Sequence, residues 1–228
     1  MACSNVSSRT AALAAIAALL GAAIVLSGIA VAIAAYNECN RVPYCFLNHF
    51  ISELGWARIS PMAWAFNGAI VLGDLLFAPL LYALGRHVGT RLGYAGMGLG
   101  FFTVLAGAAV GILPLDHVKP HLSAAVLFFL GWLGTVSLFT VAFCLDKTGK
   151  FPRHLVIAGI VAILLCAVFL ALPKSDVLKA IEHPATFRRP PVWWLAVVEW
   201  AVFVSMLVWM IITARFLWRT TRPTRMSN

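Results

Sequence analysis

The sequence predicts an all-α fold: a polytopic membrane protein, a six-transmembrane-helix bundle with both termini cytoplasmic. Three observations predict it. The 228 residues are 62% hydrophobic and only 11% charged, too apolar to cover a soluble domain with polar surface. The apolar residues form continuous runs rather than short alternating strands, and each run is long enough to cross a hydrocarbon core of about 30 Å as a helix. The Lys and Arg residues collect between those runs.

In order, the runs predict spans over 11–36, 61–84, 94–115, 122–145, 155–172 and 192–217, within one transmembrane domain over 1–228. The first run, behind Arg9, is much longer than a secretory signal core and reads as a true span. The second carries Asn67 and Asp74. The third is glycine-rich, and its pairs Gly96/Gly100 and Gly107/Gly111 fit the small-xxx-small spacing that lets helix backbones approach; a central position is expected for it. The fourth begins near Pro120. The fifth is bare of charge in its interior. The sixth carries Glu199 about 10 Å below its outer end, at 1.5 Å per residue.

Charge sets the expected orientation. Arg9, Arg86, Arg91, Lys147, Lys150, Arg153, Arg215, Arg219, Arg222 and Arg225 fall on one side, and Arg41, Arg58, Lys119, Lys174, Lys179, Arg188 and Arg189 on the other. The richer side is cytoplasmic by the positive-inside rule, which predicts a multi-pass protein of the cell (plasma or inner) membrane. Tyr36, Trp56, Trp64, Trp193 and Trp194 mark the outer interface, and Tyr82, Tyr94 and Trp218 the inner one. A net charge of +9 would suggest nucleic acid in a soluble chain. Here loop topology accounts for it, so membrane lipid is the expected partner and nucleic acid is not.

The outer side holds the chemically capable residues. Residues 43–54 read as an amphipathic helix at the outer interface, with Phe46, Leu47, Phe50, Ile51 and Leu54 on one face and Asn48, His49, Ser52 and Glu53 on the other. That spacing puts His49 and Glu53 at i and i+4. The next outer loop offers Asp116, His117 and His121, with Pro120 breaking any helical His pair. Glu199 and Asn67 lie at similar depth, where an ionisable group facing lipid costs about 2–3 kcal/mol and so turns to the bundle. Arg188 and Arg189 stand where a lipid phosphate could be met. Asp74 lies deeper, past the midplane, with no Lys or Arg at its level. Cys39 and Cys45 share a disulfide-permissive loop; their spacing leaves the bonded and free states both open.

The stretch His49 to Gly55, the pair Asn67 and Gly68, and the turn Gly111 to Asp116 with His121 following resemble the membrane family called domain of unknown function 998, over about residues 10–217. The stretch around Ser52 to Gly55 is also similar to that of the damage-regulated autophagy modulators, with Glu53 at their Asp and Leu54 at their Thr. The resemblance implies a six-helix bundle, and a lipid-related role by fold-level analogy.

Three functions follow as expectations. The first is a hydrolase-like intramembrane enzyme acting on lipid from an outward-facing polar pocket. Glu53, Asp116 and His121 would be catalytic with His49 and Glu199 supporting, while Ser52, Asn67, Arg188 and Arg189 bind substrate. A divalent metal would draw on His49, Glu53, Asp116, His117 and His121. The second is a non-catalytic lipid-binding or membrane-assembly protein. The third is a small transporter using Asn67 and Asp74. The sequence has no nucleophile elbow, His-Glu-x-x-His helix or phosphate-binding glycine loop.

Overall fold

The computed structural model describes residues 6–39, 43–182 and 187–220, apart from the side chains of Glu38, Cys39 and Glu182. It contains seven helices among those residues: α1 (Ser8–Cys39), α2 (Ala63–Val88), α3 (Arg91–Ile112), α4 (Val118–Cys144), α5 (Arg153–Ala171), α6 (Ser175–Glu182) and α7 (Trp194–Thr220). All but α6 are long and apolar enough to span a membrane. They match the six expected spans with ends displaced by a few residues.

The displacements have local causes. α2 runs on to Val88, where Gly89 takes a left-handed conformation (φ 69°) and its N–H caps the Gly85 carbonyl at 3.0 Å. Thr90 then caps α3 by accepting the Gly93 N–H at 3.2 Å. Gly89 and Thr90 are therefore the whole α2–α3 connection. α4 begins at Val118, earlier than expected, because Pro120 falls in its first turn, where a missing N–H leaves no helical bond unmade. α6 was not expected. Its Val177, Leu178, Ala180 and Ile181 share one face, and Asp176 and Lys179 form an exposed i,i+3 pair at 2.9 Å on the other.

The long helices form a ring. Each packs on its neighbour in sequence from α1 through α5, then α5 packs on α7 and α7 closes against α1. α3 sits within the ring between α2 and α4, so the central position expected from its glycines is corrected. The glycines do bring backbones together: a Cβ on Gly111 would lie 2.6 Å from the Asn67 carbonyl oxygen of α2, and one on Gly96 would meet the Phe139 ring of α4. The ring's outer surface carries exposed Leu13, Leu20, Leu72, Leu105, Leu130 and Ile157, an apolar belt that suits lipid and not water.

The two ends differ. At one, the His87, Phe151 and Phe216 rings meet and the Lys150 ammonium donates to the His87 carbonyl. At the other, the segment 43–62, the turn 113–117 and the segment 187–193 fold over the bundle.

Candidate functional site

The segment after α1 is not the interfacial amphipathic helix expected over 43–54. It makes a turn over 46–48 and a short 3₁₀ helix, Ile51–Gly55, while Phe46 and Leu47 are exposed and His49, Glu53 and Leu54 are buried. The reason is tertiary. The polar side chains have partners inside the protein, so the polar face turns inward and water-facing amphipathicity loses its meaning.

Glu53 is the hub. Its Oε1 accepts from the Phe50 N–H (2.9 Å) and from Arg189 Nη1 (2.7 Å), and its Oε2 accepts from Arg189 Nη2 (2.9 Å). The first bond is the reach-back half of a capping box; the other two make a bidentate ion pair. Arg189 Nη1 also donates to the Asn48 carbonyl at 2.8 Å. Burial works against the Arg189 charge, but the Glu53 bond and charge outweigh it and hold the guanidinium pKa above its ordinary value.

Further bonds stitch the segment to the bundle. Glu199 Oε2 accepts the Ile51 N–H at 2.8 Å, and Asp116 Oδ2 accepts the Ala57 N–H at 3.0 Å. Asn67 donates to the Gly55 carbonyl at 3.0 Å, Trp200 Nε1 to the His49 carbonyl at 3.1 Å, and Trp193 N–H to the Leu47 carbonyl at 2.8 Å. The Tyr44 hydroxyl donates to the Phe50 carbonyl at 2.8 Å; burial, with Glu53 and Glu199 near, raises its pKa. Sequence reasoning missed Tyr44, Trp200 and Lys174. The last donates to the Phe169, Leu170 and Leu172 carbonyls at 3.0, 3.0 and 2.8 Å, closing the end of α5. A basic residue just past a helix end was the available signal.

Two residues are oriented without an ion pair. His121 Nδ1 lies 2.7 Å from the Leu113 carbonyl. A carbonyl only accepts, so Nδ1 carries the proton and Nε2 presents a lone pair when the ring is neutral. His49 is edge-on to Tyr36 and tilted against Tyr44, with Nδ1 3.2 Å from both the N and the O of Cys45. Burial lowers its pKa below the ordinary 6.5, outweighing the opposing pull of Glu53, with Arg189 adding to the fall. The unfolded chain then binds a proton that the folded chain does not, so this contribution to stability is present above pH 6.5 and is lost as pH falls below it. The melting temperature should therefore drop from neutral to mildly acidic pH, and His49→Asn should flatten that slope. An unchanged slope in the variant would refute the assignment.

Two cavities adjoin these groups. A lateral cavity of about 220 Å³ lies among α4, α5, α6, α7 and the 3₁₀ segment, with Glu53, Arg189 and Lys174 at its polar margin. A central cavity of about 110 Å³ lies inside the ring between α1, α2, α3, α4 and α7, and Asp74 lines it. Ser52, His121 and Glu199 line both. The walls are mostly apolar, unlike the polar pocket expected.

The sequence-derived candidates thus converge on one end. Glu53, His121 and Glu199 share the lateral cavity, and Asp116 joins through Ala57. His117 and Arg188 are exposed and stand apart. No three His, Cys, Asp or Glu side chains among the described residues are grouped as metal ligands, because the candidate carboxylates face backbone N–H groups and Arg189. Whether Cys39 and Cys45 pair, left open by their spacing, lies outside the described residues, since it needs the Cys39 side chain.

Fold and site define a six-span integral membrane protein whose first inter-helix segment is locked over one end of the ring. The chain belongs to the family described as protein of unknown function (DUF998), whose model matches residues 19–215. None of the curated proteins and none of the solved structures compared matches it, and the similarity to the damage-regulated autophagy modulators has no counterpart in these comparisons.

Proposed function

We propose that the protein is a non-catalytic lipid-binding membrane protein that takes an acyl chain of a membrane lipid into the lateral cavity. One observation carries the reading: the carboxylates best placed for catalysis are engaged in holding the structure, while the cavity beside them is walled by apolar side chains. Glu53 is occupied by Arg189 and Phe50, and Asp116 accepts from Ala57. Leu122, Val126, Phe129, Leu170, Leu178 and Ile181 offer the apolar wall. Such a wall gains roughly 25 cal/mol for each Å² of ligand surface it covers. Arg189 and Lys174 at the margin are engaged with Glu53 and with the end of α5, so the apolar wall carries the binding. The distribution of Lys and Arg supports a cytoplasmic side opposite this site, with the site reading the outer leaflet of the cell membrane.

The test is lipid retention. Protein purified in mild detergent should release a defined lipid on denaturation, detected by mass spectrometry, and Val126→Trp should displace it while the fold persists. A lipid-free wild type, or a Val126→Trp protein that keeps its full lipid complement, would end this reading. A hydrolase-like second reading is favoured by one feature, the joint lining of both cavities by His121 and Glu199. It expects turnover of the retained lipid and its loss in Glu199→Gln.

A further inference from the structure

The central cavity differs in chemistry from the lateral one. No Lys or Arg lines it. Asp74 sits in a notch of α3: a Cβ on Gly107 would lie 2.4 and 2.9 Å from the two carboxyl oxygens. Asp74 is half-buried and lines the cavity. The nearby hydroxyls do not serve it. Thr103 donates to the Leu99 carbonyl at 2.9 Å, and the Thr135 hydroxyl, 3.1 Å away, is left to donate to Thr103. Among the described residues Asp74 has no hydrogen-bond donor.

Two other groups on the wall face the same lack. Glu199 takes one backbone N–H on Oε2. His121 uses its Nδ1–H on Leu113, so its second nitrogen is an acceptor. Beside the Ser52 hydroxyl and the Trp132 indole N–H, the wall therefore holds three acceptor groups, two of them carboxyls, set among Phe66, Phe77 and Phe128. A carboxylate in such surroundings is costly without a counter-charge. A metal cation is poorly matched, since it asks for six or so oxygens and the wall offers few.

We propose that the central cavity binds a small organic ammonium ion, a protonated primary amine on a short apolar body, with Asp74 as its counter-ion. The ammonium protons supply the donors that Asp74 and Glu199 lack, and the aromatic faces attract the cation. Size limits the body: an engineered apolar cavity of about 150 Å³ admits benzene, and this one is about 110 Å³. A chain of about three carbons fits. This site stands on its own and does not depend on lipid in the lateral cavity.

The probe is n-propylammonium, with 1-propanol as its uncharged counterpart, titrated calorimetrically into the purified full chain in nanodiscs. A ligand of so few atoms should bind with a Kd on the order of 1 mM. Asp74→Asn, which keeps the shape of the side chain, should weaken binding at least about tenfold. Propylammonium should also raise the melting temperature of the wild type and not of Asp74→Asn. Gly107→Ala, which places a methyl against the carboxyl, should weaken binding as well. The proposal is overturned if the folded wild type shows no saturable binding, if 1-propanol binds as well as the ammonium, or if Asp74→Asn binds undiminished.

Discussion

Arg189→Ala should be the most damaging single substitution at the site end, lowering stability by about 3–5 kcal/mol. The Arg189 side chain is 29% exposed and that of Glu53 only 5%. Removing the arginine therefore strands a carboxylate that cannot reach water, and also leaves the Asn48 carbonyl without its 2.8 Å donor. The reverse change is milder. In Glu53→Gln the arginine keeps part of its exposure and one amide oxygen still accepts, so a loss of about 1–2 kcal/mol is expected. The two losses should not add. Arg189→Ala with Glu53→Gln should recover at least about 1 kcal/mol over the arginine substitution alone, because the stranded charge is gone. Melting curves of the four proteins in one detergent give the answer; strictly additive losses would mean that the pair does not couple the two segments.

That coupling explains why the fold was legible in the sequence and the site only partly so. The six spans rest on apolar length, a property each run carries by itself. The local ends also follow from single residues, as Gly89 and Pro120 show. The 3₁₀ segment does not. Read alone, residues 43–54 alternate faces as an interfacial helix would. Only the presence of Arg189, some 136 positions away, turns Glu53 inward. Glu199 takes hold of Ile51 across 148 positions in the same way. No periodicity within either segment reports such pairings.

The depth argument fared better because it depends on one helix at a time. Glu199 and Asn67, placed by counting residues along their spans, both meet the 3₁₀ segment. Asp74, set apart by the same counting, lines the central cavity together with Ser52, His121 and Glu199. α6 was missed for a simpler reason. Its eight residues are too short for a span and lie within a loop whose prolines and charges argue against helix, so its apolar face only gains meaning from the lateral cavity it lines.

Gly55→Ala should be the second most damaging change, at about 1–3 kcal/mol. The added methyl would sit 2.2 Å from Asn67 Oδ1 and 3.0 Å from the Phe66 ring. Neither neighbour yields easily, since the Asn67 amide is held by its 3.0 Å bond to the Gly55 carbonyl itself and Phe66 is buried. The glycine is needed here for space and not for an unusual backbone angle. Its closing bond fixes the end of the segment that carries Ser52 and Glu53, so displacement at Gly55 should propagate to the margin of both cavities. The discriminating measurement is the double variant. Asn67→Ala alone costs the hydrogen bond, about 1 kcal/mol, but it also removes the atom that the new methyl would strike. Gly55→Ala combined with Asn67→Ala should therefore be more stable than Gly55→Ala alone, a reversal that a purely conformational penalty at residue 55 could not produce. If the double variant is the less stable of the two, the contact with Asn67 is not what excludes a side chain at this position.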